Sequence, residues 1–171
     1  QNDVYLCTPE GQNLQVLYSY ADPVDALCWD RDGLKLYVIT GDHLHSLIPD
    51  PTVATRDNIL TPVLGLDRPS SLSMHPNAKL LLTSDFSSGQ IMTIWLPDPL
   101  ANNGPVQFSR VPDTLGDEIH NPIFDKSGDT LFFRCREPME SRLCSIKAPA
   151  TIDANARTFT FPGSEPYILN S

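Results

Sequence analysis

Acidic residues stand ahead of a proline in each of the four links expected between one strand unit and the next. They are Asp22-Pro23 with Asp25 behind it, Asp67-Arg68-Pro69, the run Asp117-Glu118-Ile119-His120-Asn121-Pro122, and Glu165-Pro166. Carboxylates brought together attract a metal ion, an amine or a basic peptide through their summed field. If these places meet in space, Asp22, Asp25, Asp67, Asp117, Glu118, His120 and Glu165 form an acidic rim for a partner. The plainer reading is that loops of an acidic protein are acidic. The net charge is −9 and the pI about 4.7, so both readings stand.

Other groups offer less. Glu118, His120 and Asn121 could ligate a divalent cation, but a hard cation takes about six oxygen ligands, and only this one link is rich in them. His43 and His45 are two apart on an expected strand and so share a face. With an acid beside them they could bind zinc; otherwise they are an exposed, inert pair. His75, ahead of Pro76, reads as a polar turn residue. No Gly-x-Ser-x-Gly elbow, Gly-x-Gly-x-x-Gly loop or P-loop is present. No catalytic residue, cofactor or metal ligand is assigned.

The charge disfavours binding to a nucleic-acid backbone, which needs clustered Lys and Arg, and adhesion to an anionic membrane. No apolar run is long enough for a membrane-spanning helix. Gln1-Asn2-Asp3-Val4 is neither an initiator methionine nor a signal peptide, which reads as a chain processed, trimmed or excised from something longer. None of the four cysteines lies in a Cys-x-x-Cys pair. A hairpin centred between Met139 and Glu140 would set Cys135 opposite Cys144, either as a disulfide or as two small hydrophobes in adjacent strands.

The elements that must position these groups are announced by a repeated phrase. Trp29-Asp30-Arg31-Asp32-Gly33, Met74-His75-Pro76-Asn77-Ala78 and Phe124-Asp125-Lys126-Ser127-Gly128 each sit between two apolar strands, and they begin at residues 29, 74 and 124. Strand repeats of about 40–50 residues are the mark of a β-propeller blade. Sixteen prolines and nine glycines agree with many turns, and no segment has a helical period of apolar residues. Pro9, Pro49, Pro97 and Pro149 close the third strand of each unit, since proline cannot donate to a ladder.

The expected fold is therefore all-β, one propeller or partial propeller with about four blade equivalents of four-stranded antiparallel sheets. Residues 1–20 give the outer strands of a first blade, and 21–66, 67–116 and 117–163 give full blades. Within the last, Pro122–Phe124 is the expected inner strand and Thr158–Phe161 the fourth; 164–171 gives the inner strand of a next blade. Three completions follow: a piece of a larger propeller, a ring closed by pairing the last strand with the first ones, or an open array whose edges pair with another chain. The aspartates of the turns (Asp30, Asp32, Asp125, Asp129) read as structural, because Asp before Gly bonds its own turn backbone. Trp29, Trp95, Tyr37, Phe132 and Phe133 are expected to pack between sheets.

These units resemble the WD-like repeats in the propellers of the Tol translocation protein and of prolyl-oligopeptidase-family enzymes. That pattern is proline, then Phe-Ser-Pro-Asp-Gly, then a strand with an aromatic. Pro122-Ile123-Phe124-Asp125-Lys126-Ser127-Gly128 followed by Leu131-Phe132-Phe133 matches best, and Trp29-Asp30-Arg31-Asp32-Gly33 follows. Ala78 departs from the glycine of the pattern. The resemblance speaks to the blades and not to the function; the expected function is a non-enzymatic binding platform or scaffold in a larger assembly, with a protein partner, or the remainder of a larger propeller, met through one face or an open edge. The alternative is the propeller portion of a hydrolase. A peptidase of that type would carry its catalytic domain outside these 171 residues. A lactonase-like enzyme would hold a cation at the channel mouth. The Tol likeness and a Cys135–Cys144 bridge lean toward a periplasmic or secreted setting.

Overall fold

The computed structural model describes residues 2–50, 52–53, 57–61, 66–67, 69–96, 107–110, 119–136, 141–147 and 167–168. They form fourteen strands in four antiparallel sheets, with no helix among the described residues. A two-stranded sheet, β1 (Asp3–Leu6) and β2 (Gln15–Ser19), comes first. The first four-stranded sheet is β3 (Val24–Trp29), β4 (Leu36–Thr40), β5 (His43–Leu47) and β6 (Asp57–Thr61), each paired with the next. The second is β7 (Pro69–Met74), β8 (Leu80–Asp85), β9 (Ile91–Trp95) and β10 (Gln107–Arg110). The third is β11 (Ile119–Phe124), β12 (Thr130–Arg136), β13 (Ser141–Lys147) and β14 (Tyr167–Ile168). β7 lies against β3 and β11, so the first strands of the three sheets follow one another side by side. Sheets stacked face to face around their first strands make a partial β-propeller.

Burial follows from this stacking. The second sheet is covered on both faces, so β8 and β9 are buried throughout and read as unbroken apolar runs. Leu81, Met92 and Ile94 face the first sheet and join Tyr37, Ile39, Leu44 and Leu72. Leu80, Leu82, Ile91 and Trp95 face the third and join Phe124, Leu131, Phe133, Cys144 and Ile146. Each such side chain contributes roughly 1.5–3 kcal/mol by leaving water. The two-stranded sheet packs Val4, Leu17 and Tyr20 on Leu36, Val38 and Leu47. That covers only the outer part of the first sheet's face, so β3 alternates between half-buried and exposed.

The turns explain the repeated phrase. In two copies an aspartate accepts from the turn backbone: Asp30 Oδ1 from Leu34 and Lys35 N–H, and Asp125 Oδ1 from Asp129 and Thr130 N–H. Gly33 and Gly128 take the positive φ that closes each turn, 70° and 81°. In the second copy the ring of His75 replaces the carboxylate, its Nδ1 accepting from Asn77 N–H at 3.0 Å.

Several expectations are corrected. Tyr167–Ile168, expected as the inner strand of a next sheet, pairs with Cys144 and Ser145 of β13. The outer edge of β13 carries the ladder groups it needs, whereas a lone inner strand would have no neighbour of its own sheet. Ring closure through this strand is not what forms, because β1 pairs only with β2 among the described residues. The expected fourth strand of that sheet, 158–161, lies outside the described residues. Cys135 faces Arg142 and Cys144 faces Phe133, a register two residues away from opposing the cysteines, and neither is in a disulfide. Trp95, Tyr37 and Phe133 are buried between sheets, but Trp29 is 44% exposed because no strand among the described residues covers it.

Candidate functional site

A cleft of about 590 Å³ opens between the first and second four-stranded sheets, at the end where one sheet hands over to the next. Asp22 and Asp25 line it from the start of β3, Asp67 from the link into β7, and Asp42 from the β4–β5 turn. Phe86, exposed in the β8–β9 turn, supplies an aromatic wall, with Leu66 and Pro69 beside it.

Local chemistry holds each contributor. Thr40 Oγ1 donates to the carbonyl of Asp22 at 3.1 Å, which ties the incoming link to the end of β4. Gly41 turns the chain at φ 57°, and a Cβ there would lie 3.7 Å from Asp22 Oδ2. Asp85 shapes the turn that presents Phe86: its Oδ1 accepts from Ser87 N–H and its Oδ2 from the Ser88 hydroxyl. All three inner strands are irregular near their start, between Val24 and Ala26, Pro69 and Ser71, and His120 and Ile123. Bulges of this kind re-aim side chains beside a site. Below the cleft, Ser84 Oγ sits 2.9 Å from the hydroxyls of both Ser70 and Ser71 and accepts Asn121 N–H at 3.2 Å.

Of the seven acidic-rim residues read from sequence, Asp22, Asp25 and Asp67 line this one cleft. His120 is buried within β11, its ring 5.1 Å from that of Phe86. It belongs to a strand rather than to a loop, because the bulge at Asn121 lets β11 run through Pro122. Asp117, Glu118 and Glu165 lie outside the described residues. Asp42 and Phe86 are additions. The signal available for Asp42 is its place in the Gly41-Asp42 turn, at the same end of the sheet as the links.

Among the described residues no three His, Cys, Asp or Glu side chains come together so as to hold a metal ion. The cleft therefore suits a larger cation, an amine or guanidinium, whose charge several separated carboxylates can share.

The histidines have structural partners. His45 is buried, with Nδ1 2.9 Å from Asp57 Oδ2, so the expected exposed pair with His43 is replaced by a histidine packed under Tyr20. His75 is a polar residue of its turn, as expected, and is buried there. It stacks edge-on against Phe124 and lies beneath Gly128, and burial holds its pKa below the ordinary value. The turn aspartates are structural where bonds define them. Asp125 is held below the usual carboxyl range by the Ser127 hydroxyl and then by backbone N–H groups of Thr130, Gly128 and Asp129.

No protein-family model and no curated protein matches the chain. Solved structures do. A chain of the nidogen/laminin complex aligns with TM-score 0.63 and 12% identity, over 92% of this chain and 52% of its own length. TolB from Acinetobacter baumannii aligns with TM-score 0.57 and 15% identity, over 81% and 33%. A putative 6-phosphogluconolactonase from Bacteroides uniformis aligns with TM-score 0.57 and 12% identity, over 94% and 49%. This chain thus spans about half, or less, of these structures. At such identities the likeness shows the fold alone, a β-propeller fold.

Proposed function

We propose that this domain is a propeller binding module that receives a cationic segment of a protein partner in the cleft of Asp22, Asp25, Asp42 and Asp67. One observation carries the reading: acids from two successive sheet-to-sheet links and a hairpin turn line a single cleft with an exposed phenyl ring. Carboxylates set around an aromatic face suit a guanidinium or ammonium, which gains from the ring as well as from the charges. Propeller neighbours support the propeller half of the reading, and the separation of the carboxylates among the described residues gives no support to a lactonase-like cation site.

The test is titration with a short arginine-rich peptide, beside a glutamate-rich peptide of equal length, followed by calorimetry. The basic peptide should bind, with affinity falling as salt rises, because exposed charges are screened within about 10 Å at 0.1 M salt. Asp42→Asn with Asp67→Asn should weaken it about tenfold or more, a loss of about 1.4 kcal/mol. Equal binding of both peptides, or indifference to the paired substitution, rejects the reading.

A further inference from the structure

A second groove, of about 630 Å³, lies at the other end of the same pair of sheets, where the β3–β4 and β7–β8 turns stand side by side. That volume suits a small ligand, and such sites combine an apolar lining with a few placed polar groups. Here the first sheet supplies a polar row. Tyr37, Ser46 and Asn58 are cross-strand partners on β4, β5 and β6, so they share a face, and all three line the groove. Tyr37 is 9% exposed, yet its hydroxyl bonds to no other described residue, and neither does the side chain of Ser46 or Asn58. A polar group so enclosed needs a hydrogen-bond partner. Burial, and then the charge of Asp30, push the Tyr37 pKa up to about 12, so near neutral pH it is a donor. Leu60, with Met74 and Leu96 of the second sheet, gives the apolar lining. The charges at the rim are unevenly matched. Asp30 Oδ1 accepts from Leu34 and Lys35 N–H, and Asp32 is 3.3 Å from Arg31. The Lys35 ammonium has no ion pair among the described residues, and its place two residues before Tyr37 sets it on the same face.

We propose that this groove, distinct from the acidic cleft, is a binding site for a small monocarboxylate with an apolar body. The carboxylate accepts from the Lys35 ammonium and the Tyr37 hydroxyl, and such charge-assisted bonds are the strong ones. The body lies against Leu60, Met74 and Leu96. An amine is excluded by Lys35, by Arg31 and by Lys79, which also line the groove. A sugar would leave Lys35 without a counter-charge, and the buried ring of Tyr37 offers it no open face to stack on. The two ends of this sheet pair thus select opposite charges, a cationic segment at the links and an anionic head at the turns.

The probes are phenylbutyrate, phenylbutanol and phenylbutylamine, which share one body and differ in the head. Calorimetry on the whole chain near neutral pH should show saturable binding of the carboxylate. The alcohol should bind about tenfold or more weakly, and the amine should not displace the carboxylate. Lys35→Gln, at an exposed position, should weaken phenylbutyrate about tenfold. Tyr37→Phe should weaken it about fivefold and leave the urea midpoint unchanged, because the hydroxyl bonds nothing in the fold. Lys126→Gln, in an exposed turn of the third sheet outside the groove, should change nothing. Arginine-peptide binding at the acidic cleft should survive every one of these substitutions. Equal affinity for the three heads, or no binding of the carboxylate, overturns the proposal. So does an equal loss in Lys35→Gln and Lys126→Gln, which would mark attraction to any surface lysine.

Discussion

Tyr20 donates its hydroxyl to Asp57 across 3.1 Å, and this bond joins the two-stranded sheet to the outermost strand of the next. Tyr20 follows β2 directly, and its ring stands edge-on to His45, which is itself held by Asp57. The apolar contact of Val4, Leu17 and Tyr20 with Leu36, Val38 and Leu47 holds the half sheet, and this polar link adds to it.

Tyr20→Phe keeps the ring and removes the bond. A hydrogen bond to a charged group contributes about 1.5–3 kcal/mol, and the urea midpoint should fall accordingly. Amide exchange of β1 and β2 should accelerate before that of β8 and β9. Uniform acceleration across all sheets would mean that the half sheet does not open by itself.

The same tyrosine sets a limit at alkaline pH. Burial, and then the charge of Asp57, raise its pKa far above 10, while burial pushes Tyr37 up to about 12. The unfolded chain loses these protons near pH 10 and the folded one retains them. Stability is therefore full below pH 10 and declines as pH rises beyond it. Denaturant midpoints between pH 9 and 11 should show this decline, and it should be shallower in Tyr20→Phe.

Gly128 is placed by two demands at once. Its φ is 81°, and a Cβ there would lie 2.8 Å from Cε1 of His75. Gly128→Ala should cost about 1–3 kcal/mol from backbone conformation, with the steric conflict added. Combining it with His75→Ala removes the conflict but not the strain, so the double variant should lose less than the sum of the two. Additivity by thermal or urea unfolding would place the two turns out of contact.

How far the sequence reaches is visible in these same residues. Asp30 and Asp125 were legible because their partners are backbone groups four and five residues on. The strand sets were legible because apolar runs mark both-face burial. Asp42 and Phe86 were not, since a turn residue gains meaning only when the next sheet is laid beside it. His45 and Asp57 meet across a ladder with an irregular register, which spacing cannot supply. The Cys135–Cys144 expectation failed because a one-residue move of the hairpin's midpoint changes the pairing by two residues. Trp29 was read as an interior aromatic from its type, although its exposure depends on strands of another segment.

His75 makes the fold sensitive to acid. Its Nδ1 accepts from Asn77 N–H, so that nitrogen cannot be protonated without losing the bond. Burial also keeps its pKa below the ordinary 6.5. As pH falls below that value the unfolded chain takes up a proton that the folded chain refuses, and this contribution to stability is lost. His75→Asn retains an acceptor but loses the ring contact with Phe124. It should be less stable than the parent at pH 7.5, with the difference narrowing toward pH 5. A constant difference in urea midpoint across that range would show that His75 does not titrate with unfolding.

The cysteines test the register of the third sheet and the burial of β3 together. Cys7 is exposed, whereas the Cys28 thiol is pushed up to about 12 by burial and by the nearby charge of Asp30. Only the thiolate reacts, and at pH 8 a thiol of that kind is ionised to roughly one part in ten thousand. A disulfide reagent should therefore modify Cys7 well before Cys28, and Cys7→Ser should remove the fastest phase. Because Cys135 faces Arg142 rather than Cys144, mild oxidation of the folded chain should leave its mass unchanged by any loss of two hydrogens. A Cys135–Cys144 bridge formed without unfolding would require the β12–β13 ladder to shift by two residues, which keeps each side chain on its face but replaces every cross-strand partner, those of Phe133 and Ile146 included.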